Sequence, residues 1–140
     1  FERHNMVWRY RRSDLAAMGH AQPLLMRRWR GNAGPEAMVR LSDGRFIVFG
    51  EGTSGGPASE AVLFDGDPAD PASRAYPLTY RRVPGYRVTD AALLPDGRLL
   101  LLNRRFALFE GISAIVTIAD VRGLRPGRRV VRLVCSNTSV

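Results

Sequence analysis

The chain has 140 residues, of which 45% are hydrophobic and 9% aromatic, and it carries a net charge of +8. This composition is that of one globular domain with a real core, which excludes a largely disordered chain. No apolar stretch approaches the roughly 20 residues that span a bilayer, so we expect no transmembrane segment. The single cysteine, Cys135, excludes an intrachain disulfide and a cysteine-based zinc site.

The basic charge raises the hypothesis of nucleic acid binding, because a basic surface attracts phosphate polyanions. All 21 basic residues are arginine, however, and codon usage explains this more simply than selection for phosphate contacts. The arginines are also scattered along the chain instead of forming one patch with interleaved aromatic residues. We therefore expect no nucleic acid partner.

Strand candidates dominate the chain, and the one modest helix candidate, residues 13–20, is short. Clusters of Gly, Pro, Asp and Ser separate the strand candidates from one another. In chain order the predicted strands are 6–11, 24–29, 37–41, 45–49, 60–64, 77–82, 91–94, 98–102, 114–120 and 130–134. The chain is therefore predicted to be all-β.

Two stretches share one plan, in which an acidic residue, an apolar run, the triplet Asp-Gly-Arg, a second apolar run and a polar residue follow one another. The first is EAMVRLSDGRFIVFGE at 36–51, and the second is DAALLPDGRLLLLNRR at 90–105, with its triplet 53 residues further on. A Gly after Asp between apolar runs is a strong hairpin signal, because Gly, and to a lesser degree Asp, tolerates positive φ. Each stretch is predicted to be two antiparallel strands.

Both predicted hairpins carry polar residues at their open ends. A two-residue Asp-Gly loop places Glu36 directly opposite Glu51 in the first hairpin, and Asp90 opposite Asn103 in the second. A bulged loop would instead shift the register by one residue, which spoils the direct opposition but not the clustering at one end.

Facing carboxylates need a positive neighbour. At about 5 Å and an effective dielectric near 20, the two charges repel by roughly 3 kcal/mol before solvent screening. Either a metal ion or the pair Arg104 and Arg105 should compensate this repulsion.

The apolar residues of the hairpins do not alternate with polar ones, since FIVF at 46–49 and LLLL at 99–102 are continuous. Such runs indicate strands covered on both faces, as in a β-propeller blade packed between two neighbours. The repeat length also suits a blade. Residues 36–82 and 90–134 are predicted as four-stranded blades, 1–30 as a half blade and 135–140 as an irregular tail.

This count gives an incomplete propeller of about two and a half blades, whereas a closed ring needs roughly four to eight. A fragment of a longer protein is the preferred explanation. The alternatives are self-association of copies through exposed blade faces, and an open remnant.

Several short motifs occur in a fixed order along the chain. They are NAGPEAM at 32–38, SDGR at 42–45, TDAA at 89–92, PDGR at 95–98 and NRRF at 103–106. In these motifs, over about residues 1–134, the chain resembles the "esterase-like activity of phytase" family of bacterial phytase-like propeller domains. The resemblance implies hydrolysis of phosphate or carboxylic esters, and a periplasmic or otherwise exported location, although the chain carries no signal segment.

If the polar face is catalytic, three carboxylates are the candidate metal ligands. Glu36, Glu51 and Asp90 would hold a hard divalent cation, with calcium the natural choice for oxygen ligands. The metal would polarise a phosphoryl oxygen and acidify a bound water. The alternative is structural, with Glu36 and Asp90 accepting hydrogen bonds from loop amides.

Four further residues are the candidate contacts to a small ester substrate. Arg104 and Arg105 would grip a phosphate through charge-assisted, bidentate hydrogen bonds, and together with Glu36 and Asp90 they form the predicted catalytic set. Asn32 and Asn103 complete the predicted substrate-binding set, although Asn103 stands where related sequences often have Glu.

The sequence thus predicts a metal-assisted hydrolase of phosphate esters. The alternative is a non-catalytic propeller scaffold that binds a ligand or a protein, or an inactive truncated fragment.

Overall fold

The computed structural model describes residues 4–29, 34–52, 58–108 and 111–125, and the backbone of 132–133 and 135–137. The predicted all-β class is confirmed, because the one helical element of these residues is a 3-10 turn at Met26–Arg28. No helix in this part of the chain is long and apolar enough to cross a membrane. The strands are β1 (Val7–Tyr10), β2 (Ala17–Ala21), β3 (Pro35–Arg40), β4 (Phe46–Gly50), β5 (Ala58–Phe64), β6 (Ala75–Arg81), β7 (Arg87–Leu93), β8 (Leu99–Ala107), β9 (Gly111–Ala119), β10 (Arg132–Leu133) and β11 (Cys135–Asn137).

The strands form three sheets. The smallest sheet is the β1–β2 hairpin. Of the two larger ones, the first sheet has the order β10-β6-β5-β4-β3 and the second sheet has the order β11-β9-β8-β7. All pairs are antiparallel except β10 with β6. The described sheets do not close into a ring, so the propeller and its blade boundaries stay predictions. Within the segment expected to be irregular, β11 pairs with β9.

The Asp-Gly turns are three-residue loops with a bulge, formed by Asp-Gly and the residue before it, not the two-residue loops of the simpler prediction. In the first hairpin the Leu41 amide donates to the Arg45 carbonyl at 2.8 Å, and the Gly44 amide donates to the Leu41 carbonyl at 3.1 Å. Gly44 has a φ of 89°, which a residue with a side chain rarely adopts. Asp43 Oδ1 accepts a hydrogen bond from the Arg45 amide at 3.1 Å, which fixes the turn.

The bulged loop changes the register of the first hairpin. Ala37 faces Phe49 and Pro35 faces Gly50, so Glu36 falls in a bulge between the two pairs. The predicted opposition of Glu36 and Glu51 is therefore wrong. The physical reason is that one additional loop residue shifts every pair by one position.

The second hairpin repeats the same geometry. Asp90 faces Leu102 and Val88 faces Asn103, with Thr89 in the bulge. The predicted opposition of Asp90 and Asn103 is wrong for the same reason, and the counterpart of Glu36 in the repeat is Thr89, not Asp90.

Two local predictions near the N-terminus also fail. Residues 17–21, in and just past the predicted helix, form β2, which pairs with β1. Residues 24–29 were expected to be a strand but contain the 3-10 turn, because the Pro23 carbonyl accepts hydrogen bonds from the amides of Met26 at 3.0 Å and Arg27 at 3.2 Å. This turn buries Trp29, whose ring lies 3.1 Å from where a Cβ on Gly50 would be.

The core lies in two layers, one on each face of the first sheet. The layer between the first and second sheets includes Ile47, Phe49, Leu63, Tyr80, Leu99 and Leu101. The layer between the first sheet and the β1–β2 hairpin includes Val7, Met26, Trp29, Val48, Val62 and Phe64. The prediction that both faces of the FIVF strand are covered is confirmed for β4, although Met38 on the outer face of β3 is exposed. The same prediction for the LLLL run of β8 is wrong, because the second sheet has only one face in the core and Leu102 lies on the other.

Candidate functional site

Polar side chains from both sheets border one cavity of about 270 Å³. Its lining residues are Glu51, Gly85, Arg87, Thr89, Arg104 and Phe106. Glu51 directly follows β4, and Arg87 is the first residue of β7. Arg104 faces Arg87 across the ladder between β7 and β8. The cavity therefore lies at the strand ends opposite the Asp-Gly turns, where the sequence predicts a polar cluster.

One ion pair joins the two sheets at this cavity. Arg87 Nη1 donates to Glu51 Oε1 at 2.8 Å, with both side chains partly exposed. Arg104 is exposed, and no carboxylate of the described residues pairs with it. Burial lowers the pKa of the Arg82 guanidinium from its usual value, and the charge of Arg87 lowers it further. Among the residues that line the cavity, one carboxylate, Glu51, stands against two arginines, Arg87 and Arg104, which gives the cavity a net positive charge.

Arg105 lies beside this cavity. Its guanidinium carbon is 5.5 Å from the centroid of the Tyr86 ring, which is within cation–π range. The Tyr86 hydroxyl is 3.1 Å from Ser113 Oγ, which fixes the ring. Gly85 has a φ of 81°, and a Cβ there would lie 3.1 Å from Arg105 Cδ, so glycine is required for this packing.

The three predicted metal ligands do not converge. Glu36 lines a different cavity of about 280 Å³, which it shares with Trp8, Tyr10 and Met38. Asp90 is exposed, and its Oδ1 accepts a hydrogen bond from the Ala91 amide at 2.8 Å.

In the described part of the chain, no three His, Cys, Asp or Glu side chains lie together as a ligand set. Calcium binding therefore stays a prediction.

Asn103 lies in the core and not on the cavity. Its amide donates to Thr117 Oγ1 at 2.9 Å and to the Leu101 carbonyl at 3.1 Å, and its Oδ1 accepts a hydrogen bond from the Tyr80 hydroxyl at 3.2 Å. The side chain is 0% exposed, so this placement favours a structural role over substrate binding. Asn32, its predicted partner in substrate binding, lies outside the described residues.

Two cavity residues, Arg87 and Thr89, were not among the predicted site residues. Strand β7 begins at Arg87, four residues before the predicted start at 91, which brings both residues into the hairpin. The sequence indicates a turn at Pro84-Gly85, and a strand that starts after this turn brings Arg87 into the hairpin. The pairing of Arg87 with Arg104 also requires the three-residue loop and the bulge at Thr89.

No curated protein and no solved structure matches the chain. A family model does match, and it is described as Phytase-like, with esterase-like activity of phytase. The match covers residues 1–137, nearly all of the 140 residues. The resemblance predicted from the ordered motifs is confirmed, and the chain belongs to the esterase-like activity of phytase family.

Proposed function

We propose that this chain binds phosphate esters as part of a phytase-like hydrolase domain, with the phosphoryl group between Arg87 and Arg104. The observation that carries the proposal is the facing position of these two arginines on neighbouring strands, at the border of one cavity. A guanidinium offers a planar fork of donors that matches two phosphoryl oxygens.

The remaining residues of the cavity fit this role. The ion pair with Glu51 orients Arg87, and Arg104 has donors available for a ligand. The Thr89 hydroxyl adds a neutral hydrogen-bonding group, and Phe106 offers an apolar wall for the organic part of an ester.

The proposed chemistry is the attack of water on phosphorus with loss of the alcohol. In this reaction negative charge builds up on the phosphoryl oxygens, so guanidinium groups aimed at them stabilise the transition state. Because the described carboxylates do not form a metal-ligand set, no step of this proposal is assigned to calcium.

The test is the hydrolysis and the binding of an aryl phosphate by the wild-type chain and by Arg87→Gln and Arg104→Gln. Each substitution removes charge-assisted hydrogen bonds, so we expect a loss of roughly tenfold or more in both affinity and kcat/KM. Arg98→Gln, at the opposite end of the second hairpin, is the matched control and should leave both unchanged.

Each assay is run with added calcium and with a chelator, which tests the predicted metal dependence. If Arg87→Gln, Arg104→Gln and the control bound the aryl phosphate with equal affinity, the phosphate would not bind in this cavity.

A second candidate is a binding scaffold without turnover. It is favoured by the ion pair of Glu51 with Arg87, because the carboxylate that borders the cavity is already engaged by a guanidinium, whereas a general base has to be within hydrogen-bond reach of the proton that it takes. Under this candidate the aryl phosphate binds and the arginine variants weaken binding, but no phosphate is released. An aryl acetate in the same assay tests hydrolysis of carboxylic esters.

We also propose that the protein is exported, an expectation that rests on the family alone. Fractionation of cells that express the native gene tests it, and recovery of the protein in the cytoplasmic fraction alone would contradict it.

A further inference from the structure

One face of the second sheet is apolar and open. This open face carries Leu100, Leu102, Phe106, Ile112, Val116 and Ile118 on β8 and β9. Leu102 is 40% exposed, and Phe106 and Ile112, which face each other across the ladder, are 70% and 69% exposed. A contiguous exposed apolar patch of this kind is characteristic of an interaction surface.

The first sheet shows what such a face contacts when it is covered. Ile47 and Phe49 precede Leu100 and Leu102 by 53 residues and hold the same places after the Asp-Gly turn. Both are 0% exposed, because that face of the first sheet packs on the second sheet. The repeat therefore uses this face for packing against another sheet.

The open face also carries three charged side chains; one of them, Arg87, is held in the ion pair with Glu51, and the other two are one acidic and one basic side chain. Asp90 directly faces Leu102 in the ladder, and Arg104 lies two residues beyond Leu102 on the same face of β8. No ion pair joins either of them to another described residue. A face with one such charge of each sign is complementary to its own copy, because a two-fold axis brings each charge to the opposite charge on the other copy.

We propose that the open face binds the open face of a second copy, forming a two-fold symmetric dimer of stacked sheets. In this dimer Asp90 pairs with the partner's Arg104, and Arg104 pairs with the partner's Asp90. The apolar side chains between the two pairs are buried, as Phe49 and Ile47 are within one chain. The cavity with Arg87 then lies at the rim of the dimer interface.

The first test is the molar mass of the full chain by light scattering over a range of concentrations. We expect a monomer–dimer equilibrium, and Leu102→Arg should weaken dimerisation by roughly tenfold or more, since it puts a charge in an apolar interface. Leu24→Arg is the matched control, because Leu24 is 72% exposed and lies outside the second sheet. A wild-type chain that stays monomeric at millimolar concentration, or a Leu102→Arg chain that dimerises as wild type, overturns the proposal.

The second test exchanges the charges. Asp90→Arg alone and Arg104→Asp alone each bring like charges together across the axis, so each variant should be monomeric. An equimolar mixture of the two should form a heterodimer, because each copy then supplies the charge that the other lacks. The double variant in one chain should form a homodimer again.

Far-UV circular dichroism confirms that each variant is folded. A mixture that stays monomeric overturns the proposed pairing. Arg104 takes part in both proposals, so phosphate and the partner's Asp90 would compete for it. Leu102→Arg leaves Arg87 and Arg104 in place and therefore tests dimerisation apart from phosphate binding.

Discussion

The two Asp-Gly-Arg hairpins are built alike but lie in different surroundings. Both have a three-residue loop that contains a glycine with positive φ. In both, a bulge lies seven residues before the Asp of the loop. Strand β4 of the first hairpin is covered on both faces, by the second sheet and by the β1–β2 hairpin. Its counterpart in the second hairpin, β8, is covered on one face only. The pattern of apolar residues thus determines which side chains can be buried, and the neighbouring elements determine which of them are.

The largest expected effect comes from the matched pair Phe49 and Leu102. Phe49 is fully buried, with its ring 5.9 Å from that of Tyr80, so Phe49→Ala should lower the free energy of unfolding by about 3–5 kcal/mol. Leu102→Ala, at the equivalent position, should cost under about 1 kcal/mol in dilute protein.

Urea unfolding at a concentration where the chain is monomeric measures both values. Equal losses would mean that the two faces are covered to the same extent, contrary to the comparison.

A smaller effect is expected from Asn103, whose counterpart in the first hairpin is Gly50. Asn103→Ala removes the amide that contacts both the Tyr80 and Thr117 hydroxyls, and leaves these buried groups with one partner fewer. We expect a loss of about 1–3 kcal/mol in the free energy of unfolding.

The matched substitution Gly50→Ala places a Cβ 3.1 Å from the Trp29 ring and should destabilise through overpacking, by about 1–3 kcal/mol. If Asn103→Ala were as stable as the wild type, the hydrogen bonds of Asn103 with Tyr80 and Thr117 would contribute nothing to the free energy of unfolding.

The smallest effect concerns acid stability at the turn end of the second sheet. Hydrogen bonds from the Arg122 side chain and backbone lower the pKa of Asp120 from 3.8 to about 2. The side chain of Arg98 likewise lowers the pKa of Asp96. Because both carboxyl groups have a folded pKa below the unfolded value, their stabilisation is complete above about pH 4 and is lost as pH falls towards 2.

The test is the urea midpoint of the wild type and of Asp120→Asn at pH values from 5 to 2. The variant should be less stable at pH 5, and its midpoint should fall less between pH 4 and pH 2. Added salt should reduce the difference, since these groups are exposed. A parallel decline of the two midpoints would contradict the role of this ion pair.

Much of the fold could be predicted from local signals. The two hairpins follow from Asp-Gly between apolar runs, and the covered faces of β4 follow from its unbroken FIVF run. The register could not be predicted, because Asp-Gly suits both a two-residue and a three-residue loop. The two loops differ only in whether the residue before Asp-Gly pairs in the strand or belongs to the loop. The packing of Trp29, which directly follows the 3-10 turn, depends on the space above Gly50, and no local pattern reveals that space.

The candidate site was predicted in part. Glu51 and Arg104 do border one cavity, since polar residues at the ends of adjacent strands lie close together. Glu36 was assigned there because the two stretches appear to repeat from their first acid, but the bulge sends it to a different cavity. The role of Asn103 depends on Tyr80, which is 23 residues away along the chain and comes from the other sheet.

The two short strands β10 and β11 link the first and second sheets. Arg132–Leu133 adds to β6 at the edge of the first sheet, and Cys135–Asn137 adds to β9 at the edge of the second. A segment of six residues thus closes the outer edges of both sheets. Because only one residue separates β10 from β11, we expect the two strands to fray together, so the amides of β6 and β9 that bond to them should lose their protection against hydrogen exchange together.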